Sequence, residues 1–238
     1  MIAVVDYCKG NLRSVERGLI NAGGDACITD NPEVIGGADA IVLPGVGAFA
    51  DASATMLQTG QMQAIRAALA QGKFFLGICL GEHLLFEAGT EGADRAEGAN
   101  HGQEADHAEK SSTSQKAVFV EGLGILPGVV DRIPEFDSTG KRYKIPHVGW
   151  NSIDFDPTCD CPLLEGIKSG EYFYFTHSYI APDSKATVAT TTHSVTFPCV
   201  VQKGERIFGV QFHPEKSSDA GAHVLGNFVR MVQENKHV

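Results

Sequence analysis

The sequence is short of positive charge and of long apolar runs, and each shortage removes a class of function. Lys and Arg total 19 against 29 Asp and Glu, and the formal net charge of -10 argues against a general nucleic-acid or anionic-membrane surface. No apolar run is long enough to span a bilayer, so no membrane partner is expected. The opening Met1-Ile2-Ala3-Val4-Val5-Asp6 meets an acid early and lacks the basic flank of a secretion signal. Without such a signal, the six cysteines (Cys8, Cys27, Cys79, Cys159, Cys161, Cys199) read as reduced thiols, and a cytoplasmic location is expected. Cys159 and Cys161 have no second Cys or His pair at zinc-site spacing, so they read as a loop pair; neither a metal nor a cofactor is expected.

What is present is an alternation of short apolar runs and helical spacings. Ile2 to Asp6 reads as a strand, and Leu12, Val15 and Leu19 recur at helical spacing. Ala26 to Thr29 and Ala40 to Leu43 read as strands, Met56 to Leu69 as a helix, and Phe74 to Ile78 as a strand entering a turn at Cys79. Strands alternating with helices imply parallel pairing, with functional groups gathered at the carboxyl ends of the strands. Past residue 118 strand-like runs follow one another: Val129 to Ile133, Ser152 to Phe155, Tyr172 to Ser178, Thr187 to Thr192, Cys199 to Gln202 and Ile207 to Phe212. Part of the sheet is therefore expected to be antiparallel. A closing helix places Val224, Phe228, Val229 and Val232 on one side. The expected fold is α/β, with a mostly parallel central sheet, helices on both faces and an antiparallel extension, in a single domain over residues 1–238. Gly92 to Ala117 lacks every large apolar residue and Cys, cannot offset the entropy of ordering, and reads as a flexible insertion. His101 and His107 within it read as solvated.

Three segments carry chemistry. Gly77-Ile78-Cys79-Leu80-Gly81 has the form of a nucleophile on a sharp strand-to-helix turn, where small neighbours two residues either side permit close chain approach. The helix that follows is expected to aim free N–H groups and its positive dipole end at the thiol. Phe208 to Phe212 is an apolar run that stops at His213, with Glu215 two residues on. His213 is placed to act as base and Glu215 to orient it. Leu43-Pro44-Gly45-Val46-Gly47 opens a Gly-rich loop after a strand, and an N–H of Val46 or Gly47 can join that of Leu80 in holding an oxyanion.

With these elements in this order the chain resembles the class I, triad-type glutamine amidotransferases. Within them it is similar to the glutaminase subunits of imidazole glycerol phosphate synthase. That finer likeness rests on Asp6-Tyr7 with Gly10 to Val15, on Leu43 to Phe49, on Pro146-His147-Val148-Gly149-Trp150-Asn151, on Tyr172 to Tyr179, and on Gly209 to Ser217. The resemblance implies that glutamine is hydrolysed through a thioester to glutamate and ammonia. It assigns Cys79, His213 and Glu215 to the triad, and Gly47 and Leu80 to the oxyanion positions. Glu91 falls where the α-amino group of glutamine is held, and Ser178 and Tyr179 fall near its α-carboxylate. His147, Trp150, Asn151, Lys216 and Asn11 match the face that meets the partner. That partner is a cyclase with a (β/α)-barrel fold, paired with the glutaminase as a heterodimer that makes imidazole glycerol phosphate and aminoimidazole carboxamide ribotide.

The chain departs from the family at Gly81-Glu82-His83, where the pattern has a substrate-touching Gln in the place of His83. His83 is expected to keep that contact, and Glu82, one residue earlier, is expected to be exposed or partner-facing. Two other functions stay open at this stage. One is an amidotransferase serving a different acceptor, such as a surface-sugar pathway. The other is a scaffolding subunit with weakened catalysis.

Overall fold

A computed structural model describes residues 1–93 and 119–235. The expected insertion therefore falls almost wholly outside the described residues, as do His101 and His107.

The order of elements is β1 (Ile2–Val5), α1 (Leu12–Asn21), β2 (Ala26–Thr29), α2 (Pro32–Gly37), β3 (Ala40–Gly45), α3 (Phe49–Gln58), α4 (Gln61–Ala70), β4 (Phe74–Cys79) and α5 (Leu80–His83). Next come β5 (Phe86–Gly89), β6 (Val120–Glu121), β7 (Leu126–Arg132), β8 (His147–Ser152), β9 (Tyr172–His177), β10 (Tyr179–Ile180), β11 (Thr187–Thr192), β12 (Thr196–Lys203), β13 (Ile207–Val210) and α6 (Ser218–Glu234). Seven strands form the central sheet in the order β11-β12-β13-β4-β3-β1-β2. The run from β13 to β2 is parallel, and β11 and β12 extend it antiparallel. A smaller sheet, β10-β7-β5-β6, and a ribbon of β8 with β9 lie beside it.

Period-two alternation along the parallel strands feeds two cores, one on each face. Val4, Val42, Leu76 and Val210 pack with Leu19 of α1 and Leu225 and Phe228 of α6. Val5, Ile41, Leu43 and Phe75 pack with Met56 of α3 and Met62 and Ile65 of α4. Among the described residues, no helix is long and apolar enough to cross a membrane.

Two elements differ from the sequence reading. The expected helix Met56 to Leu69 is two helices, broken at Thr59 and Gly60, where Gly60 takes φ 79°, a left-handed conformation that favours glycine. The expected strand Ser152 to Phe155 lies mostly past the paired strand β8, with only Asp154 bridging to Thr190.

Candidate active site

Parallel pairing brings three strand ends together. Gly45, at the end of β3, lies opposite Cys79 at the end of β4, and Val210, at the end of β13, lies opposite Ile78. The Val46-Gly47 loop and the stretch from Gln211 to Glu215 therefore flank Cys79 from either side, as expected at the carboxyl edge of a parallel sheet.

Cys79 is strained, with φ 54° and ψ -106°. The glycines around it make that turn possible. A Cβ on Gly81 would sit 1.7 Å from the Leu43 carbonyl oxygen, and one on Gly77 would sit 2.4 Å from that of Gly81. The helix that follows is a single turn of four residues. Any electrostatic support for the sulfur thus comes from nearby N–H groups rather than from a long helix dipole, which corrects the sequence reading.

His213 is buried and its Nδ1 lies 2.9 Å from Oε1 of the buried Glu215. Its Nε2 faces the Cys79 thiol without another hydrogen-bond partner. Burial draws the imidazole pKa down, but the Cys79 and Glu215 groups outweigh it and the result is about 9. Further contacts hold the His213 backbone. The His213 N–H donates to the Tyr174 carbonyl at 2.9 Å, and the Ser217 hydroxyl donates to the His213 carbonyl at 2.7 Å while accepting from the Tyr174 N–H at 3.0 Å.

A cavity of about 370 Å³ opens over the thiol, within the roughly 300–1,000 Å³ typical of small-molecule sites. Val46, Gly47, Leu80, His83, Glu91, Ser178 and Tyr179 all line it, so the residues nominated for the oxyanion and for substrate surround one space. Gly47 has φ 101°. The Glu91 carboxylate accepts from the Phe49 N–H at 3.0 Å, and burial raises its pKa against that bond. A larger hollow of about 690 Å³ runs from Phe155 to Ser169, away from Cys79. Its thiols are poorly suited to attack, since burial first of all pushes Cys161 up to about 11 and raises Cys159 as well.

Several nominated residues sit elsewhere than expected. Glu82 is fully buried, neither exposed nor partner-facing, because the one-turn helix has protein on every side. Both its carboxylate oxygens lack a hydrogen-bond partner, and burial, followed by the nearby Cys79, raises its pKa well above 4.5. His147 and Asn151 turn inward from β8. His147 is buried, its Nδ1 2.9 Å from Nε2 of His177, and Asn151 donates to the Thr192 carbonyl at 2.8 Å. The opposite face of the ribbon exposes Val148, Trp150 and Tyr172. Lys216 is exposed beside Tyr174, its Nζ 5.9 Å from the ring centre, and Asn11 is exposed at the start of α1. Sequence reading passed over Gln211, whose side-chain nitrogen lies 3.7 Å from the Cys79 sulfur. The available signal was a lone polar residue in an apolar strand run that ends on His213.

Comparison with known proteins identifies the family and the fold. The family profile "Glutamine amidotransferase class-I" matches residues 3–232. The chain is 40% identical over 235 residues to the "Imidazole glycerol phosphate synthase subunit HisH" of Caldanaerobacter subterraneus subsp. tengcongensis, covering 98% of this chain and 99% of that protein. The protein of the same name from Moorella thermoacetica is 41% identical over 234 residues, covering 98% and 95%. Among solved structures, a "Crystal structure of glutamine amidotransferase" aligns over 100% of both chains with a TM-score of 0.64 at 17% identity. "Structure of PurLQS from Thermotoga maritima" aligns over 100% of this chain and 98% of the other, with a TM-score of 0.59 at 18% identity. These structural likenesses bear on the fold.

Proposed function

The chain belongs to the class I glutamine amidotransferases, and from that premise we propose that Cys79, His213 and Glu215 are its catalytic triad. The protein is the glutamine-hydrolysing subunit of an imidazole glycerol phosphate synthase, working in histidine biosynthesis with a cyclase partner. Full-length similarity to subunits of that name favours this over an amidotransferase for another acceptor.

The observation that carries the triad is the line of groups from Glu215 through His213 to the Cys79 thiol. Glu215 accepts a hydrogen bond from the Nδ1–H and so leaves Nε2 free to take the proton of Cys79. The sulfur attacks the side-chain amide carbon of glutamine, and a C–S bond forms while the carbonyl oxygen gains charge. The N–H groups of Leu80 and of Val46 or Gly47 are proposed to stabilise that charge. Collapse breaks the C–N bond, and the His213 proton leaves with ammonia. Water, deprotonated by His213, then attacks the thioester, releasing glutamate and returning the thiol. Glu91 is proposed to receive the α-ammonium group, and the Ser178-Tyr179 segment the α-carboxylate. The His83 ring is proposed to keep a substrate contact at the cavity wall.

The exposed Trp150, with Lys216 and Asn11, is proposed to meet the cyclase, and Val148 and Tyr172 extend that apolar patch. The buried His147 and the half-buried Asn151 lie on the other face of the ribbon. We infer further that the cyclase is a (β/α)-barrel that receives ammonia from this site.

The test is ammonia release from glutamine by the reconstituted complex. Cys79→Ala is expected to lose about 10⁴-fold or more in rate while still binding the partner. A variant that kept a tenth of the rate would remove Cys79 from the chemistry.

A further inference from the structure

We propose that Gln211 is a further catalytic residue, its carboxamide N–H donating to the Cys79 sulfur when this is a thiolate, and that His83 is the positioning residue that orients this amide. The inference rests on the reading of Cys79 as the nucleophile.

Gln211 follows β13 directly and is completely buried. Both ends of its side chain are engaged, with Oε1 2.7 Å from Nε2 of His83 and Nε2 3.7 Å from the Cys79 sulfur. His83 stands one helical turn after Cys79 and is itself buried, so the side chains form a continuous polar path from His83 through Gln211 to the sulfur.

The direction of this path follows from chemistry. A thiolate only accepts hydrogen bonds, so the end of Gln211 that faces it must be the NH₂ group. The carbonyl end then faces His83, which must present an N–H at Nε2. Burial pulls the His83 pKa down to about 4, so the ring is neutral at working pH and carries a single proton, with Nδ1 left as an acceptor. In the reverse arrangement the amide oxygen would point at the sulfur. That arrangement suits a thiol and repels a thiolate. The His83 tautomer and the charge on Cys79 are thereby linked through the orientation of one amide.

The other groups around the sulfur leave this donor a clear role. His213 faces it as the proton acceptor. The Tyr7 phenol and the Glu82 carboxyl both lie close enough to interact with it and burial keeps both in their neutral forms, but neither makes a hydrogen bond to the sulfur. The Thr176 carbonyl, 3.9 Å away, can accept only from the thiol form. Gln211 is the neutral side chain that donates specifically to the anion, and it keeps its own proton throughout.

The experiment is the rate of Cys79 alkylation by iodoacetamide against pH in the full-length chain, read by mass spectrometry of the Cys79 peptide. Gln211→Met is expected to slow alkylation about tenfold at pH 7 and to move the midpoint to higher pH by about one unit. His83→Phe keeps a ring without the N–H and is expected to shift the profile the same way by about threefold. His83→Gln, which restores a donor, is expected to recover most of that loss. A Gln211→Met profile that overlays the wild type overturns the proposal. If Gln211→Met does not fold, the His83 pair decides: equal profiles for His83→Phe and His83→Gln mean that His83 only fills space. Wild-type complex that releases ammonia from glutamine while these profiles overlay removes the Gln211 role alone. A complex that releases none removes the nucleophile as well.

Discussion

Two buried glutamates stand near one sulfur, and they are in opposite circumstances. Glu215 meets an imidazole at 2.9 Å, whereas both oxygens of Glu82 are unpartnered. Burial is nearly the same for both, and only one has a partner to share its charge with. The difference teaches that the role proposed for a buried carboxyl in catalysis depends on its hydrogen bond. Without one the carboxyl is a group held neutral at a cost in stability.

The comparison breaks most visibly in turnover. Glu215→Gln leaves His213 without the carboxylate that sets its tautomer, and glutaminase activity of the complex is expected to fall about 10²- to 10⁴-fold. Glu82→Gln is expected to change it by less than about threefold, since Glu82 has no assigned step; steady-state ammonia assays of both variants check the pair.

Stability should respond in the reverse order. Glu82→Met keeps the volume and removes an unsatisfied buried acid, so chemical denaturation is expected to report a gain of about 1–3 kcal/mol. Glu215→Met, which strips His213 of its partner, is expected to lose stability instead.

The pH dependence sharpens the contrast further. Burial raises Glu82 above 4.5, so the folded state holds that proton more tightly than the unfolded chain does. Its contribution to stability therefore worsens as pH rises from 4.5 toward the folded pKa, and the advantage of Glu82→Met should grow over that range. His213 is raised from 6.5 to about 9, so its stabilising contribution is complete below 6.5 and is lost as pH rises through 9. In Glu215→Gln that loss should come at lower pH. Denaturation curves collected from pH 5 to 9 follow both trends.

The elements of the site that were legible in the sequence are the local ones. Gly77 and Gly81 announce the turn at Cys79 because no side chain fits there, and His213 and Glu215 are two residues apart on one short stretch. The contact of His83 with Gln211 spans 128 positions and exists only because β13 pairs with β4, an adjacency that no local pattern encodes. Glu82 was misplaced because helix-face reasoning assumes a solvent side, and a four-residue turn inside the fold has none. His147 was carried to the partner face with its whole motif. Strand alternation sends it inward and its neighbours Val148 and Trp150 outward. The strands and their mixed pairing were readable from apolar runs, and the break at Gly60 was hidden by the Ala-rich composition on either side of it.

The most direct test of the account is labelling by a diazo-type glutamine analogue with the cyclase bound. Such a reagent needs both a glutamine-shaped cavity and an activated nucleophile. Mass spectrometry is expected to find one adduct, on Cys79, and to find none after Glu215→Gln in the same time. Labelling at Cys8 or Cys199 in place of Cys79 would contradict the assignment.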